Sequence, residues 1–422
     1  MTHRLPGPSS WFARLAGMAG VLALLLFLAA PASAIERRKD QFPKEPSYLI
    51  VPLPYSLPGI GTGFFVPVFF SNIADSTTDA YALFIVGDAE GQMFGIEELH
   101  LVPEHLFVEL RYQTLNKAVV NNYETRGMNG NGDDYTLIEL SKVDNWRVGA
   151  TASFWERQLE FLATRFNQKI QVDRQLDKDG NLERDFIPPY TDEMESTTFA
   201  LRVDYTDDFQ DPHKGVRFSL SRSQSPSDDP DDPEFYVRET AITGYIPLGE
   251  QSTLALHAFR SDAIVTRTGL TDLNTILDEK LGCQGDPGCQ ALFTPLANNF
   301  RLGNLNGTST DLGGDQRMRA YPQSRFQGAH TLFYAAELRW NLTQEVTPFD
   351  YFIWKDVRTG IQLALFYEVG SVSETSDTLG DETRSDYGVG LRMVAGSGEV
   401  YRLDAATGDE GSEITVIVDY PF

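Results

Sequence analysis

The chain has 422 residues, with 35 Lys+Arg against 60 Asp+Glu and a formal net charge of -25. Its mean hydropathy of -0.27 is too polar for a helical membrane protein, and the acid excess argues against nucleic acid as a partner, since phosphate binding needs Lys and Arg. Aromatics at 12% and 35 glycines exclude disordered, collagen-like and coiled-coil classes, whereas a barrel with a wet interior reaches such a mean because only alternate residues meet lipid.

In chain order, the first element is an address. Arg4 and Arg14 precede and border an apolar run from Leu15 to Ala30, which ends in Pro31-Ala32-Ser33-Ala34. That pattern predicts a signal peptide over 1–34, cleaved near Ala34, with no nearby cysteine for a lipid anchor. Residues 35–60 carry Pro43, Pro46, Pro52, Pro54 and Pro58 and read as a short periplasmic segment or plug. The rest, 61–422, reads as one barrel.

Period-two alternation sets the fold class: all-β, a transmembrane antiparallel β-barrel of about sixteen strands. The strands are predicted near 61–70, 79–88, 93–102, 105–116, 134–142, 145–156, 158–168, 196–207, 215–224, 234–247, 252–264, 330–342, 360–370, 385–394, 400–406 and 413–422. Between 332 and 342, Leu332, Tyr334, Ala336, Leu338 and Trp340 share one face, and Phe333, Ala335, Glu337, Arg339 and Asn341 share the other. Mid-strand charges suit a hydrated lumen and not a dry sandwich core. An even strand count places both termini in the periplasm, with long surface loops at 169–195, 225–233, 265–329 and 371–384; Lys117 to Asp133 then falls on the periplasmic side. Ile414, Val416, Val418, Tyr420 and Phe422 alternate to a C-terminal aromatic, so Tyr420 and Phe422 are expected to act as the signal read by the barrel assembly machinery.

Three further segments carry a resemblance. The first is Val203-Asp204-Tyr205-Thr206-Asp207-Asp208 with Asp211-Pro212-His213-Lys214-Gly215; the second is Leu312-Gly313-Gly314-Asp315-Gln316-Arg317-Met318-Arg319-Ala320-Tyr321. The third is Phe366-Tyr367-Glu368-Val369-Gly370, followed by Tyr387-Gly388-Val389-Gly390-Leu391-Arg392. In this order they resemble the bacterial surface antigen family, the outer-membrane superfamily of the central Bam and Tam barrels and the two-partner-secretion transporters. The resemblance covers about Thr198 to Phe422. It implies sixteen strands and a sixth surface loop, about 265–329, folded into the lumen with a tip motif matched by Met318, Arg319, Ala320 and Tyr321. Ala320 stands where the family has Gly, which predicts strain if the site needs φ > 0. Glu368 stands where the family has Asp. The family also carries periplasmic polypeptide-transport-associated domains before the barrel, and about 26 residues between Ile35 and Gly61 are too few for one.

A buried arginine needs a carboxylate, so Arg319 is expected to meet Glu368 or Glu337, which lie on lumen faces of neighbouring predicted strands. Cys283 and Cys289, six apart in the long loop, read as a small disulfide. The acidic run Asp228-Asp229-Pro230-Asp231-Asp232-Pro233-Glu234 reads as a solvated loop, with Ca²⁺ or Mg²⁺ binding as the alternative, and the six histidines form no metal-spaced cluster. No catalytic or phosphate-binding motif appears, so neither an enzyme nor a cofactor is expected. The resemblance implies outer-membrane biogenesis: protein insertion or translocation through the barrel or a weak seam between 61–70 and 413–422, where Pro67 and Pro421 remove ladder donors. Expected partners are outer-membrane lipid, lipopolysaccharide and unfolded outer-membrane proteins. A passive pore and a surface adhesin are the alternatives.

Overall fold

The computed structural model describes residues 35–422 except 43, 45, 51, 228, 344–347, 352–353, 396–399 and 419; the expected signal peptide lies outside the described residues. The strands are β1 (Ser47–Ile50), β2 (Leu53–Leu57), β3 (Gly61–Ser71), β4 (Asp79–Gly87), β5 (Glu90–Val102), β6 (Leu106–Tyr123), β7 (Tyr135–Phe154), β8 (Leu159–Leu176) and β9 (Leu182–Thr206). They continue with β10 (Gly215–Ser225), β11 (Glu234–Pro247), β12 (Ser252–Arg267), β13 (His330–Asn341), β14 (Pro348–Tyr351), β15 (Trp354–Ser373), β16 (Arg384–Ala395), β17 (Val400–Gly408) and β18 (Gly411–Val418).

From β2 onward every strand pairs antiparallel with its successor, except that β13 passes directly to β15 and β14 pairs only with the start of β15. β1 and β2 lie end to end along β3, at Ile50↔Val68 and Leu53↔Phe65, so they form one interrupted strand. β18 returns to β2 and closes a barrel of sixteen strands.

Alternation decides what faces where. On β13, Phe333, Glu337 and Arg339 are buried in the lumen while Tyr334 and Trp340 point out. Outward Phe64, Leu365, Tyr387, Leu391 and Ile414 are each between 46% and 61% exposed. Exposed large apolar groups on strand after strand, around an interior of charges, form a surface made for lipid. Among the described residues no helix is long and apolar enough to cross a membrane.

Several expectations are corrected. The first strand lies at 47–57, inside the segment read as a periplasmic linker, so the seam joins β2 to β18 and not 61–70 to 413–422. Prolines are tolerated there because one side of β2 is nearly unpaired. Pro67 sits in the second strand, opposite the gap between β1 and β2. The expected strands 134–142 and 145–156 are one strand, β7, which runs on through Val143 and Asp144; Lys142 and Asp144 form an ion pair at 2.7 Å on it. These two errors cancel in the count and shift the sidedness: residues 124–134 connect β6 to β7 at the end away from the termini. The stretch 169–195 is mostly strand, the outer parts of β8 and β9 joined by a short turn at 177–181. The long loop runs from 268 to 329, between β12 and β13. The last ladder stops at Val418, and Tyr420 to Phe422 leave the strand.

Candidate functional site

The lumen is filled by the loop that joins β12 to β13. Its outer half is a helical cap: a turn at Leu273–Thr275 continues through Ile276–Lys280, and helix α1 spans Pro287–Asn306. Asp286 caps α1 by accepting from the Cys289 N–H at 2.7 Å, and Pro287 suits the first helical position. Cys283 and Cys289 are joined by a disulfide beside this cap. Ile276, Leu277, Leu281 and Ala297 form its own small core.

The inner half turns back into the barrel. Leu312 and Phe326 exchange backbone hydrogen bonds, each 2.9 Å, which closes the segment between them. Gly313 has φ 105° and donates to the Arg317 carbonyl at 3.0 Å; a Cβ there would lie 2.1 Å from the Pro322 oxygen. Gly314, with φ 111°, donates to the Tyr321 carbonyl at 2.8 Å. Met318, not Ala320, carries the positive φ of the tip, at 57°; Ala320 is absent from the left-handed region, so its side chain brings no strain. The expected strain at Ala320 is thereby corrected.

Arg319 is fully buried and meets three carboxylates. Its Nε and its backbone N–H donate to the two oxygens of Glu368, each at 2.9 Å. Its Nη1 donates to Asp404 at 2.7 Å and its Nη2 to Glu337 at 3.2 Å, while the guanidinium lies 3.4 Å above the Phe366 ring. Glu337 also takes Arg339 Nε and Arg392 Nη2, each at 2.8 Å, and Asp404 takes Arg402 at 3.1 Å. The result is an interior lattice of alternating charge in which each ion has a counter-ion, the condition under which buried charges are tolerable. Ala320 N–H donates to Asp386 at 3.0 Å, and Tyr321 donates to Asp409 and to the Ser385 carbonyl. Gly370 faces the tip because a Cβ would lie 2.5 Å from Leu312 Cδ1. Leu312, Met318, Tyr321 and Phe326 pack with Phe259, Phe333, Phe366 and Phe422 as one apolar cluster.

Asp404, Asp386 and Arg402 were missing from the residues singled out in the sequence, and Arg392 was named only as part of a motif, without a partner. Their signal was present: each is a charge at an inward alternate position of a strand.

The remaining motif residues gather at the end that carries the termini. Asp204 accepts from Arg217 Nε at 2.7 Å and from Arg37 Nη1 at 3.2 Å. Gly215, with φ 117°, allows the turn before β10; a Cβ would lie 2.1 Å from the Tyr205 oxygen. Asp211 and Pro212 are buried in that turn. Asp211 receives the Tyr420 hydroxyl at 2.6 Å, Tyr420 lies beneath Arg339 at 4.1 Å, and the Phe422 ring stacks on His257 at 4.6 Å. Thus Tyr420 and Phe422, expected on the outermost strand, are folded into the lumen. Nothing in the sequence distinguishes the two placements, since alternation continues through Phe422.

The seam is the other half of the site. Among the described residues β18 pairs with β17 at eight positions but with β2 at one, Val416↔Ser56. A cleft of about 150 Å³ lies beside it, lined by Leu53, Pro54, Phe65, Met393, Leu403 and Ile417 among others. The loop tip touches both flanks of this seam: Gln323 N–H donates to the Pro58 carbonyl at 3.0 Å, and Arg325 pairs with Glu410 at 2.7 Å.

The chain matches no protein-family model and no curated protein. Among solved structures it is similar to BamA from Haemophilus ducreyi lacking POTRA domains 1-3, at 11% identity over 90% of this chain and 76% of that one, with a TM-score of 0.48. It is also similar to CdiB from Acinetobacter baumannii, at 7% identity over 89% of this chain and 65% of that one, with a TM-score of 0.46.

Proposed function

We propose that this chain is a bacterial outer-membrane barrel that inserts or passes proteins by opening the seam between β2 and β18. The observation that carries the reading is that among the described residues β2 and β18 pair at one position, Val416↔Ser56, in a barrel whose other neighbouring barrel strands pair along most of their length. The apolar cleft beside it lies along a sparsely paired edge, the kind of edge that an incoming strand can join. The sequence resemblance to the bacterial surface antigen family supports the same reading. The work is mechanical: the protein acts as a conduit and not as an enzyme. Its partners are unfolded outer-membrane proteins, the surrounding lipid and lipopolysaccharide, and, for its own insertion, the barrel assembly machinery.

The test uses purified barrel in liposomes and an unfolded small outer-membrane protein whose folding is followed by gel mobility. Ser56→Cys with Val416→Cys locks the seam in oxidising conditions. Acceleration that disappears on oxidation and returns on reduction is expected. No acceleration, or acceleration that survives the lock, overturns the proposal; steady ion conductance without acceleration would favour the pore.

A further inference from the structure

Beyond the lipid-facing band, β6 to β9 continue upward as a small sheet with two very different edges. Its first edge is covered. Asn121 N–H donates to the Gly59 carbonyl at 3.1 Å, and Asn299 of α1 donates to the Tyr123 carbonyl at 3.2 Å. Its last edge is open. β9 pairs with β10 only up to Thr197↔Gln224, whereas its pairing with β8 continues to Tyr190↔Val172. Residues 187–195 are all exposed. Tyr190 to Ser196 therefore present a free ladder edge of roughly 23 Å, at about 3.3 Å per residue. It ends at 186–189, where the register with β8 breaks around Pro188 and Pro189.

This edge stands in water. The outward side chains at this level are Glu193 and Glu195, which pair with Lys169 and Arg165, while Phe199 and Leu201 face outward lower on the same strand. The opposite face of the edge shows Tyr190, Asp192 and Met194 in alternation. Asp192 has no cation at ion-pair distance among the described residues. Asp232, from the β10–β11 connection, adds its negative field to both Asp192 and Tyr190, while Lys280 offsets it at Tyr190 and no cation among the described residues offsets it at Asp192.

We propose that this edge is a docking site for an extended segment of another polypeptide, added as an extra strand beside Tyr190–Ser196. Main-chain hydrogen bonds would hold it, and the side chains would select it: an apolar residue opposite Tyr190, a Lys or Arg opposite Asp192 and an apolar residue opposite Met194. A second copy of this chain fits poorly. Two-fold pairing of the edge with itself, centred on Glu193, sets that carboxylate against its own copy, and like charges directly opposite are destabilising. The site is independent of the seam and does not rest on the proposed insertion activity.

The test uses the full barrel in nanodiscs and a fluorescein-labelled nine-residue peptide with Val-Lys-Val at alternate positions and Thr between. Saturable binding is expected, weakened on the order of tenfold or more by replacing the Lys with Glu. N-methylation of alternate amides in one parity should abolish binding, and in the other parity should leave it, because only one set of N–H groups faces the edge. Asp192→Lys should reverse the preference toward the Glu peptide while the barrel's heat resistance stays unchanged. Equal binding of both N-methylated peptides, no saturation up to about 1 mM, or dimers cross-linked through Glu193→Cys would overturn the proposal.

Discussion

Arg319→Ala gives the sharpest test of the buried lattice, because its three carboxylates are not equally dependent on it. Glu337 would keep Arg339 and Arg392, each at 2.8 Å, and Asp404 would keep Arg402 at 3.1 Å. Glu368 would keep a backbone N–H and its side-chain contact with Asp386; among the described residues Arg319 is the one guanidinium paired with it. Stranding a buried carboxylate costs about 3–5 kcal/mol, and the backbone donor that remains places the expected loss near the lower end, about 3 kcal/mol. The lost stacking on Phe366 adds on the order of 1 kcal/mol. A second substitution should then act with opposite signs at the two carboxylates. Glu368→Gln in the Arg319→Ala background removes the stranded charge and should restore about 2 kcal/mol; Glu337→Gln in that background deprives Arg339 and Arg392 of their shared partner and should cost more. Urea unfolding in lipid vesicles, followed by tryptophan fluorescence, measures each step, and limited proteolysis between 312 and 326 reports release of the tip. If Glu368→Gln fails to recover stability, or Arg319→Ala costs less than about 0.5 kcal/mol, the three-carboxylate pin is not what holds the loop.

Gly370→Ala should push the tip off the barrel wall, since its Cβ would lie 2.5 Å from Leu312 Cδ1 and 3.0 Å from Met318 Sδ. A loss of about 1–3 kcal/mol in urea unfolding, with faster tip proteolysis, is expected. Tyr420→Phe removes the hydroxyl that donates to Asp211 at 2.6 Å; unfolding should show a loss of about 1 kcal/mol, and planar-bilayer recordings should show more frequent opening. Arg37→Ala should cost at least as much as Arg217→Ala, because Arg37 is the more buried and donates to the Glu156 carbonyl at 2.7 Å and the Thr206 carbonyl at 3.0 Å besides Asp204; thermal shifts in gel mobility would rank the two.

The barrel itself was legible because period-two alternation survives wherever one face meets lipid and the other meets charge, as on β13 and β15. Elements failed to read where a local signal had two physical meanings. Pro52, Pro54 and Pro58 look like a linker, and they are equally compatible with a strand whose outer side has almost no ladder to satisfy. The charges Lys142 and Asp144 suit the edges of a break between two strands, and they also suit one continuous strand where they pair as neighbours on the same face. Within the site, Arg319 and its two candidate carboxylates could be named from inward alternation and the cost of burying a lone charge. Asp404 obeys the same rule on β17, but choosing it requires knowing that β17 curves round to the loop tip, which is a property of closure and not of any local pattern. The inward turn of Tyr420 to Phe422 depends on Asp211 and His257, far away in sequence, and no local signal could have revealed it.

A barrel with a weak seam needs closure from somewhere else. Leaving most of the β2–β18 ladder unmade forgoes several hydrogen bonds, each worth on the order of 1 kcal/mol. The tip of the long loop supplies the alternative from inside. Arg319 ties β13, β15 and β17 together, Ala320 adds β16, and Tyr321 reaches the β17–β18 turn through Asp409. Two and four residues further on, Gln323 holds the β2–β3 turn at Pro58 and Arg325 holds Glu410. One short segment therefore grips both flanks of the seam and the strands leading to it. The strands beside the seam can then separate below the clamp without the barrel falling apart, because the charges that hold β13 to β17 are satisfied by the loop and not by the seam. For the same reason, lateral opening and loss of the tip are distinct events, and a variant that frees the tip should weaken the whole wall and not merely open the seam.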